Sequence, residues 1–350
     1  MRVLAAGDHF VSPDLLVAAV EEEVGDGPPA PPQASRLKLP WPVEPFGPVG
    51  GVEEASGTEE QVVEALRGAE VCMTQMAPVT SRVIDACPDL RLVSVCRGGP
   101  VNVDLTAATR AGVAVTYAPG RNATAAAEYA IAMILAALRR VPAADAELRE
   151  GRWRGDFYAY EQAGVELRGT TVGLVGYGAI GRIVARILRA FEARVLVSDP
   201  YTDQSTAAED GVRLVGLEEL LSSCTVVSLH ARLTEETRNM IDGERIALMP
   251  RGAVLVNTAR GGLLDHAPLP EALRSGRLGA LALDVYDVEP PPADWPLRGL
   301  DNVVTTPHLA GATRQTAERA ARIVAGEVGR YLRGEPPRHL ANPEVREVHA

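Results

Sequence analysis

Val172-Gly173-Leu174-Val175-Gly176-Tyr177-Gly178-Ala179-Ile180-Gly181 is the stretch that decides how the chain folds. A short apolar run passes directly into three glycines spaced G-x-G-x-x-G, and Ala179 opens a helix-forming segment that continues to Phe191. In a strand–turn–helix unit each glycine has its own task. The first makes the turn, the second lets backbone approach a pyrophosphate, and the third lets helix and strand pack closely. The free N–H groups and positive dipole end of the helix then face the anion. Glycines punctuate many turns, so the spacing alone is a weak signal. Its context is stronger: Asp199 closes the next apolar run, Val195-Leu196-Val197-Ser198-Asp199-Pro200, eighteen residues after Gly181. There a carboxylate accepts hydrogen bonds from the adenosine ribose of a dinucleotide, and it would repel the extra phosphate of NADP. NAD is therefore the expected cofactor, with Gly176, Tyr177, Gly178, Ala179, Ile180, Gly181 and Asp199 as contacts.

The pattern extends in both directions. Strand-like runs at Thr171–Val175, Arg194–Ser198, Thr225–Leu229, Ala253–Asn257, Ala280–Leu283 and Val303–Thr305 are mostly separated by stretches long enough for crossover helices, which predicts a doubly wound parallel sheet. Upstream, Glu70–Thr74, Leu90–Val95 and Val113–Thr116 alternate with helix-like stretches in the same way, and residues 1–10 read as a short opening strand. The Ala-rich segment Asn122–Arg140, with Pro142 just past it, predicts a helix apolar enough to be buried between domains or between subunits. Thr313–Leu332 reads as a final helix. A chain of 350 residues is long for one core. Two α/β regions with a helix returning after His308 point to a discontinuous first domain of residues 1–118 plus 311–350 around a second of 119–310.

Composition removes several classes of function. A net charge of −11 argues against a nucleic-acid partner. Lys38 is the only lysine, which leaves little room for Schiff-base chemistry. The cysteines Cys72, Cys87, Cys96 and Cys224 lack CxxC spacing, the six histidines form no metal-ligand motif, and no GxSxG elbow is present. No apolar run is long enough for a bilayer, and an acidic residue comes too early for a signal peptide, so a cytoplasmic protein is expected. Gly27–Gly51, rich in Pro and Gly with Trp41 and Phe46 among them, should hold neither helix nor central strand. It reads as a surface excursion or as a loop covering a site.

Three further segments follow predicted strands, where open α/β sheets place ligands. They are Asn257-Thr258-Ala259-Arg260-Gly261-Gly262, Asp284-Val285-Tyr286-Asp287-Val288-Glu289-Pro290 and Thr306-Pro307-His308-Leu309-Ala310-Gly311. Singly, each polar residue in them has a bland reading: a surface Arg, a capping Glu, a core or interface His. With the glycine loop, the set resembles the D-isomer-specific 2-hydroxyacid dehydrogenases, a family that includes phosphoglycerate, glyoxylate and phosphite dehydrogenases. The likeness runs from about Val93 to the C-terminal region, and residues 1–70 show little of it.

That resemblance implies a Rossmann nucleotide domain inserted into a flavodoxin-like substrate domain, acting on a small anionic 2-hydroxy or 2-keto acid. Arg260 would grip the substrate carboxylate, His308 would be the acid–base group, and Glu289 would hydrogen-bond its imidazole. Each role is physically apt: imidazole titrates near ~6.5, a carboxylate fixes its tautomer, and a guanidinium matches a carboxylate bidentately. Asp284 would lie near the nicotinamide carboxamide, with Thr124, His230, Thr258, Ala259, Arg260, His308 and Gly311 also on the cofactor side. Arg97-Gly98-Gly99 would line the substrate, and Arg97 would suit a second anionic group or simply be solvated. A homodimer is implied, formed around the Asn122–Leu138 helix and the aromatic stretch from Trp153 to Tyr160. Ala231-Arg232 departs from the family's usual proline near Leu233-Thr234, Glu289 disfavours formate, and an end at residue 350 argues against the large allosteric phosphoglycerate dehydrogenases. Phosphite oxidation and a nucleotide-sensing corepressor-like role remain alternatives.

Overall fold

The computed structural model describes residues 1–25 and 30–345. The chain forms two compact units, Met1–Arg121 with the chain from Ala312 onward, and Asn122–Gly311. The breaks fall at 121 and 311, close to those expected at 118 and 310.

In the first unit, strands β1 (Arg2–Gly7), β2 (Gln33–Lys38), β3 (Gly47–Val49), β4 (Val52–Ala55), β5 (Val71–Thr74), β6 (Leu92–Val95) and β7 (Ala114–Tyr117) follow in chain order. Five of them make one parallel sheet in the order β2-β1-β5-β6-β7, the flavodoxin-like arrangement. Strands β3 and β4 form a separate antiparallel hairpin. Alternation along β1 sends Leu4 and Ala6 to one face with Val93 and Val95, and Val3 and Ala5 to the other with Val71 and Leu92. Both faces are covered, which is why these strands read as unbroken apolar runs.

The Gly27–Gly51 segment holds more structure than its composition suggests. Residues 26–29 lie outside the described ones, but Gln33–Lys38, a proline-free window, pairs with β1 along its whole length. As an edge strand it is half solvated, so it carries Arg36 and Lys38 and shows no apolar pattern. The surface-excursion reading is therefore corrected: this stretch contributes an edge strand and the first arm of the hairpin.

The helix Arg314–Leu332, capped by Thr313, lays Ala317, Ala320, Ala321, Val324, Ala325 and Val328 on the face shared with the helix Pro13–Val24. The chain then runs antiparallel along β7, with Tyr117 N–H donating to His339 O at 3.1 Å and Ala341 N–H to Val115 O at 2.7 Å. Buried Asn342 completes the join: its carbonyl oxygen accepts from Val115 N–H at 2.9 Å, and its amide donates to Val113 O at 2.9 Å and Thr109 Oγ1 at 3.0 Å.

The second unit holds β8 (Thr171–Val175), β9 (Arg194–Ser198), β10 (Arg213–Leu214), β11 (Val226–Leu229), β12 (Ala253–Asn257), β13 (Leu278–Leu283) and β14 (Val303–Thr305). They form one parallel sheet in the order β10-β9-β8-β11-β12-β13-β14. The order reverses between β8 and β11, and such a reversal opens a crevice at the carboxyl ends of the strands. The helices Ala123–Leu138 and Ala179–Ala190 cover one face through Ile134, Val184 and Leu188. The Ala-rich helix thus spends its apolar surface on its own unit, and the expectation that it needs a second chain is corrected. Its successor Val141–Arg149 buries no residue, and Trp153, Tyr158 and Tyr160 stand 84–92% exposed. Among the described residues no helix is long and apolar enough to cross a membrane.

Replacing Asn342 with Leu strands the buried Val115 N–H and Val113 C=O. Each lost buried partner costs ~1–3 kcal/mol. Urea unfolding of Asn342→Leu is expected to show a loss of about 2–4 kcal/mol, and an unmoved midpoint would disprove the clasp.

Candidate active site

The glycine loop, Asp199, His230 and the segments carrying Arg260, Glu289 and His308 each leave the carboxyl end of a strand of the second unit. The parallel ladder runs one bond past the strands there. Gly176 N–H donates to Ser198 O at 2.9 Å, His230 N–H to Val175 O at 2.7 Å, Asp284 N–H to Asn257 O at 3.0 Å, and Thr306 N–H to Leu283 O at 3.0 Å. The backbone starting points of four loops are thereby set by the sheet itself.

In the glycine loop, Gly176 has φ +97°, and a Cβ there would meet Ala231 N at 2.5 Å. A Cβ on Gly181 would meet Gly176 O at 2.5 Å, so the helix sits directly on the turn. Gly178 differs: no atom lies within 4 Å of its added Cβ, leaving open space at the start of Ala179–Ala190, a helix with no side-chain cap. The N–H groups of its first turn face that opening, a fit for a pyrophosphate. Tyr177 turns its ring into the core and donates its hydroxyl to Asp210 at 3.0 Å, so only its backbone belongs to the loop. Asp199 accepts from Tyr177 N–H at 2.6 Å and from Tyr201 N–H at 2.8 Å. A carboxylate has about four acceptor positions, so capacity remains for ribose hydroxyls. Beside the loop, His230 shares a 3.0 Å hydrogen bond with Ser228, and desolvation pushes its pKa down to about 4. Its ring is neutral at physiological pH.

Past β12, buried Asn257 clamps the next loop. Its amide donates to Arg260 O at 2.9 Å and its oxygen accepts from Ala259 N–H at 3.1 Å, holding Thr258–Arg260 in a tight turn. Arg260 is exposed at the tip and donates to Ala259 O at 2.7 Å. Gly261 follows, and a Cβ there would lie 1.8 Å from Tyr286 O. The Arg260 loop and the loop carrying Glu289 therefore cross backbone to backbone.

His308 Nδ1 and Glu289 Oε2 are 2.7 Å apart. Burial pushes the Glu289 carboxyl up, but the hydrogen bond and charge of His308, the Tyr286 N–H at 3.0 Å and the charge of Arg260 outweigh it. The group is held below the usual carboxylate range and stays anionic. His308 has φ +56°, a left-handed conformation costing a non-glycine residue on the order of 1–2 kcal/mol. Asp284, wholly buried, keeps it there by accepting from Thr306 Oγ1 at 2.7 Å, Leu309 N–H at 2.8 Å and Ala310 N–H at 2.8 Å. Tyr286 adds a hydroxyl bond to Thr306 O at 2.9 Å, and burial pushes its phenol up to about 12, so it remains a donor. Thr124 is exposed in the first turn of Ala123–Leu138, while a Cβ on Gly311 would come within 3.0 Å of the Asn122 side chain.

Arg97, Gly98 and Gly99 belong to the first unit, at the end of β6. Both glycines border open space. Arg97 is not simply solvated: it is ion-paired to Glu54 and is 14% exposed. Sequence reading assigned nothing to Asn257, Gly261, Tyr286 or Glu54, because their work is to contact other loops rather than a ligand. A fully buried Asn at a strand end is the one local hint among them.

In Gly261→Ala the crossing loops must part by more than an ångström. Overpacking of this kind costs ~1–3 kcal/mol or more, so urea unfolding should show a loss near the upper end. An unchanged stability would mean that the loops do not touch at Gly261.

Residues 131–310 match the family model described as D-isomer specific 2-hydroxyacid dehydrogenase, NAD binding domain. A glyoxylate reductase of Korarchaeum cryptofilum is 39% identical over 297 residues, which cover 85% of this chain and 90% of that one. A D-3-phosphoglycerate dehydrogenase of Archaeoglobus fulgidus is 38% identical over 83% of this chain, but the match spans only 54% of that longer protein. Among solved structures, a D-lactate dehydrogenase from Treponema pallidum superposes with a TM-score of 0.78 at 26% identity, covering 97% of this chain and 99% of its own. With the glycine loop and the Arg–Glu–His set in place, the chain belongs to the D-isomer specific 2-hydroxyacid dehydrogenase family.

Proposed function

We propose that this protein is an NAD-dependent dehydrogenase that interconverts a small 2-hydroxy acid and its 2-oxo acid. The observation that carries the reading is the 2.7 Å His308–Glu289 pair, held on a left-handed backbone and sharing its electrostatic surroundings with Arg260. With Nδ1 engaged by Glu289, Nε2 of His308 is the atom left to exchange a proton with the substrate oxygen. Arg260 grips the substrate carboxylate and polarises the 2-oxygen with its planar fork. Bound NAD supplies the hydride acceptor, so oxidation sends the hydroxyl proton to His308 while the C2 hydrogen leaves as hydride. In the reverse direction the protonated imidazole, favoured by anionic Glu289, returns the proton.

On this reading, residues 119–310 form the NAD domain, and 1–118 with 311–350 form the substrate domain. The Gly176–Gly181 turn holds the pyrophosphate and Asp199 the adenosine ribose. Thr124, His230, Thr258, Ala259, Asp284 and Gly311 complete the cofactor side, with Arg97, Gly98 and Gly99 on the substrate side. The names of the relatives, glyoxylate reductase, D-lactate dehydrogenase and phosphoglycerate dehydrogenase, share the 2-hydroxy or 2-oxo acid as their common chemistry. Four free, buried cysteines suit a reducing cytoplasm.

The test is NADH consumption, with NADPH alongside, over a panel of 2-oxo acids. Turnover with NADH is expected, and His308→Ala should lower it about 10²–10⁴-fold while NADH affinity holds. Near-wild-type turnover in His308→Ala would end the mechanism, and binding without turnover by the wild-type protein would end the dehydrogenase reading.

The same reading includes a homodimer, supported by the exposed Val141, Leu148, Trp153, Tyr158 and Tyr160 on one continuous excursion of the second unit. Light scattering at micromolar concentration should give twice 37.1 kDa. Trp153→Ser with Tyr158→Asp should shift the mass toward one chain, and a wild-type monomer would reject the assembly.

A further inference from the structure

The β3–β4 hairpin is built onto the loop that leaves β6. Glu53 N–H donates to Val101 O at 3.0 Å, and Ser56 N–H donates to Met76 O at 2.8 Å, beyond the end of β5. Between these anchors, Glu54 has φ +46°, a conformation unfavourable to a residue of its type. That backbone presents its carboxylate to Arg97, and Arg97 also donates to the Glu54 carbonyl at 3.4 Å. The Arg97 side chain is 14% exposed and Glu54 35%, so solvent screens this pair less than it would a surface one. Gly98 and Gly99, immediately beyond Arg97, border open space.

We propose that Glu54 is a specificity-determining residue, an internal counter-anion that fixes the charge of the acid this chain accepts. This rests on the reading of the Arg97–Gly99 loop as part of the substrate side. A 2-oxo acid carries one carboxylate, the one assigned to Arg260. A substrate bearing a second anion would seek Arg97, the cation at the open glycines. Glu54 already neutralises that guanidinium and meets an incoming anion with a like charge. The favoured substrate is therefore a monoanionic 2-oxo acid with an uncharged remainder. Dianionic acids are disfavoured because binding them requires Glu54 to be displaced or tolerated. The anchors at Glu53 and Ser56 make displacement costly, since they fix the hairpin backbone on either side.

The experiment compares acids matched in length and differing in charge: 2-oxobutyrate against oxaloacetate, and 2-oxopentanoate against 2-oxoglutarate. NADH consumption is followed for the wild type, Glu54→Gln and Glu54→Asn. The asparagine variant removes the charge with a side chain that tolerates the left-handed backbone, so it should fold at least as well. The wild type is expected to favour the monoanion of each pair by about tenfold or more in kcat/KM. Both variants should move the ratio toward the dianion by on the order of tenfold, through KM, with the gain shrinking at high salt. Adding Arg97→Met to Glu54→Gln should erase the gain. A ratio unchanged in both variants, or a wild type that prefers the dianion, overturns the proposal while leaving the dehydrogenase reading intact. If the wild type reduces no 2-oxo acid, with glyoxylate and pyruvate tested beside these four, that reading falls and takes the proposal with it.

Discussion

Asp284 joins the two halves of the candidate site through one residue. Its N–H extends the sheet ladder to Asn257 O, at the root of the Arg260 loop, while its buried carboxylate takes three donors from the turn that carries His308. Burying a carboxylate is expensive unless its lone pairs are satisfied, and here the satisfying groups belong to the functional turn. The same three hydrogen bonds therefore offset both the cost of burying the charge and the strain of the turn. If the turn relaxes, the carboxylate loses its donors. If the carboxylate is lost, two backbone N–H groups and a hydroxyl are orphaned and His308 has no reason to keep φ +56°. An asparagine of the same shape would present an NH2 to at least one of those donors, so only an acceptor on both branches suits the position.

The same economy of parts runs along the whole carboxyl edge of the sheet. Parallel strands end in step, and their ladder continues far enough to fix Gly176, His230, Asp284 and Thr306 relative to one another. Side chains then add a second layer of constraint: Asn257 on the Arg260 turn, Tyr286 on Thr306, and Gly261 allowing two loops to cross in contact. Arg260 and Glu289, far apart in sequence, converge because their loops share that crossing. Such rigidity matters for the proposed chemistry, since a displacement of about an ångström in reacting groups can cost ~10²-fold in rate.

The parts legible in the sequence were those whose cause is local. Strands buried on both faces write themselves as apolar runs, so β8, β9 and β12 match the expected Thr171–Val175, Arg194–Ser198 and Ala253–Asn257, and the edge strand β14 matches Val303–Thr305. The glycine loop reads clearly because steric exclusion of a side chain leaves one residue type. What stayed hidden depended on partners distant in the chain. β2 carries little apolar signal because one of its edges is free, and Pro32 and Pro40 around it suggest irregular backbone. Burial of the Ala-rich helix between domains or subunits was a fair expectation from hydropathy alone. Only the sheet it packs on shows that its own unit consumes that surface.

Arg97 illustrates the limit most clearly. A guanidinium beside two glycines at a strand end is read from sequence as a free positive charge, and a free positive charge invites a second anionic group on the substrate. Its partner comes from a hairpin forty-three residues earlier, where nothing in Val52-Glu53-Glu54-Ala55 marks the second glutamate as different from the first. The difference lies in backbone: Glu53 and Ser56 are tied to neighbouring loops, and Glu54 between them is forced into the left-handed region with its carboxylate toward Arg97. Charge at this position is therefore a property of the pair and not of the arginine. A count of cations near a presumed pocket would assign the loop to dianionic acids, whereas the role proposed for Glu54 assigns it to monoanionic ones, and the two readings differ by one carboxylate that composition cannot locate.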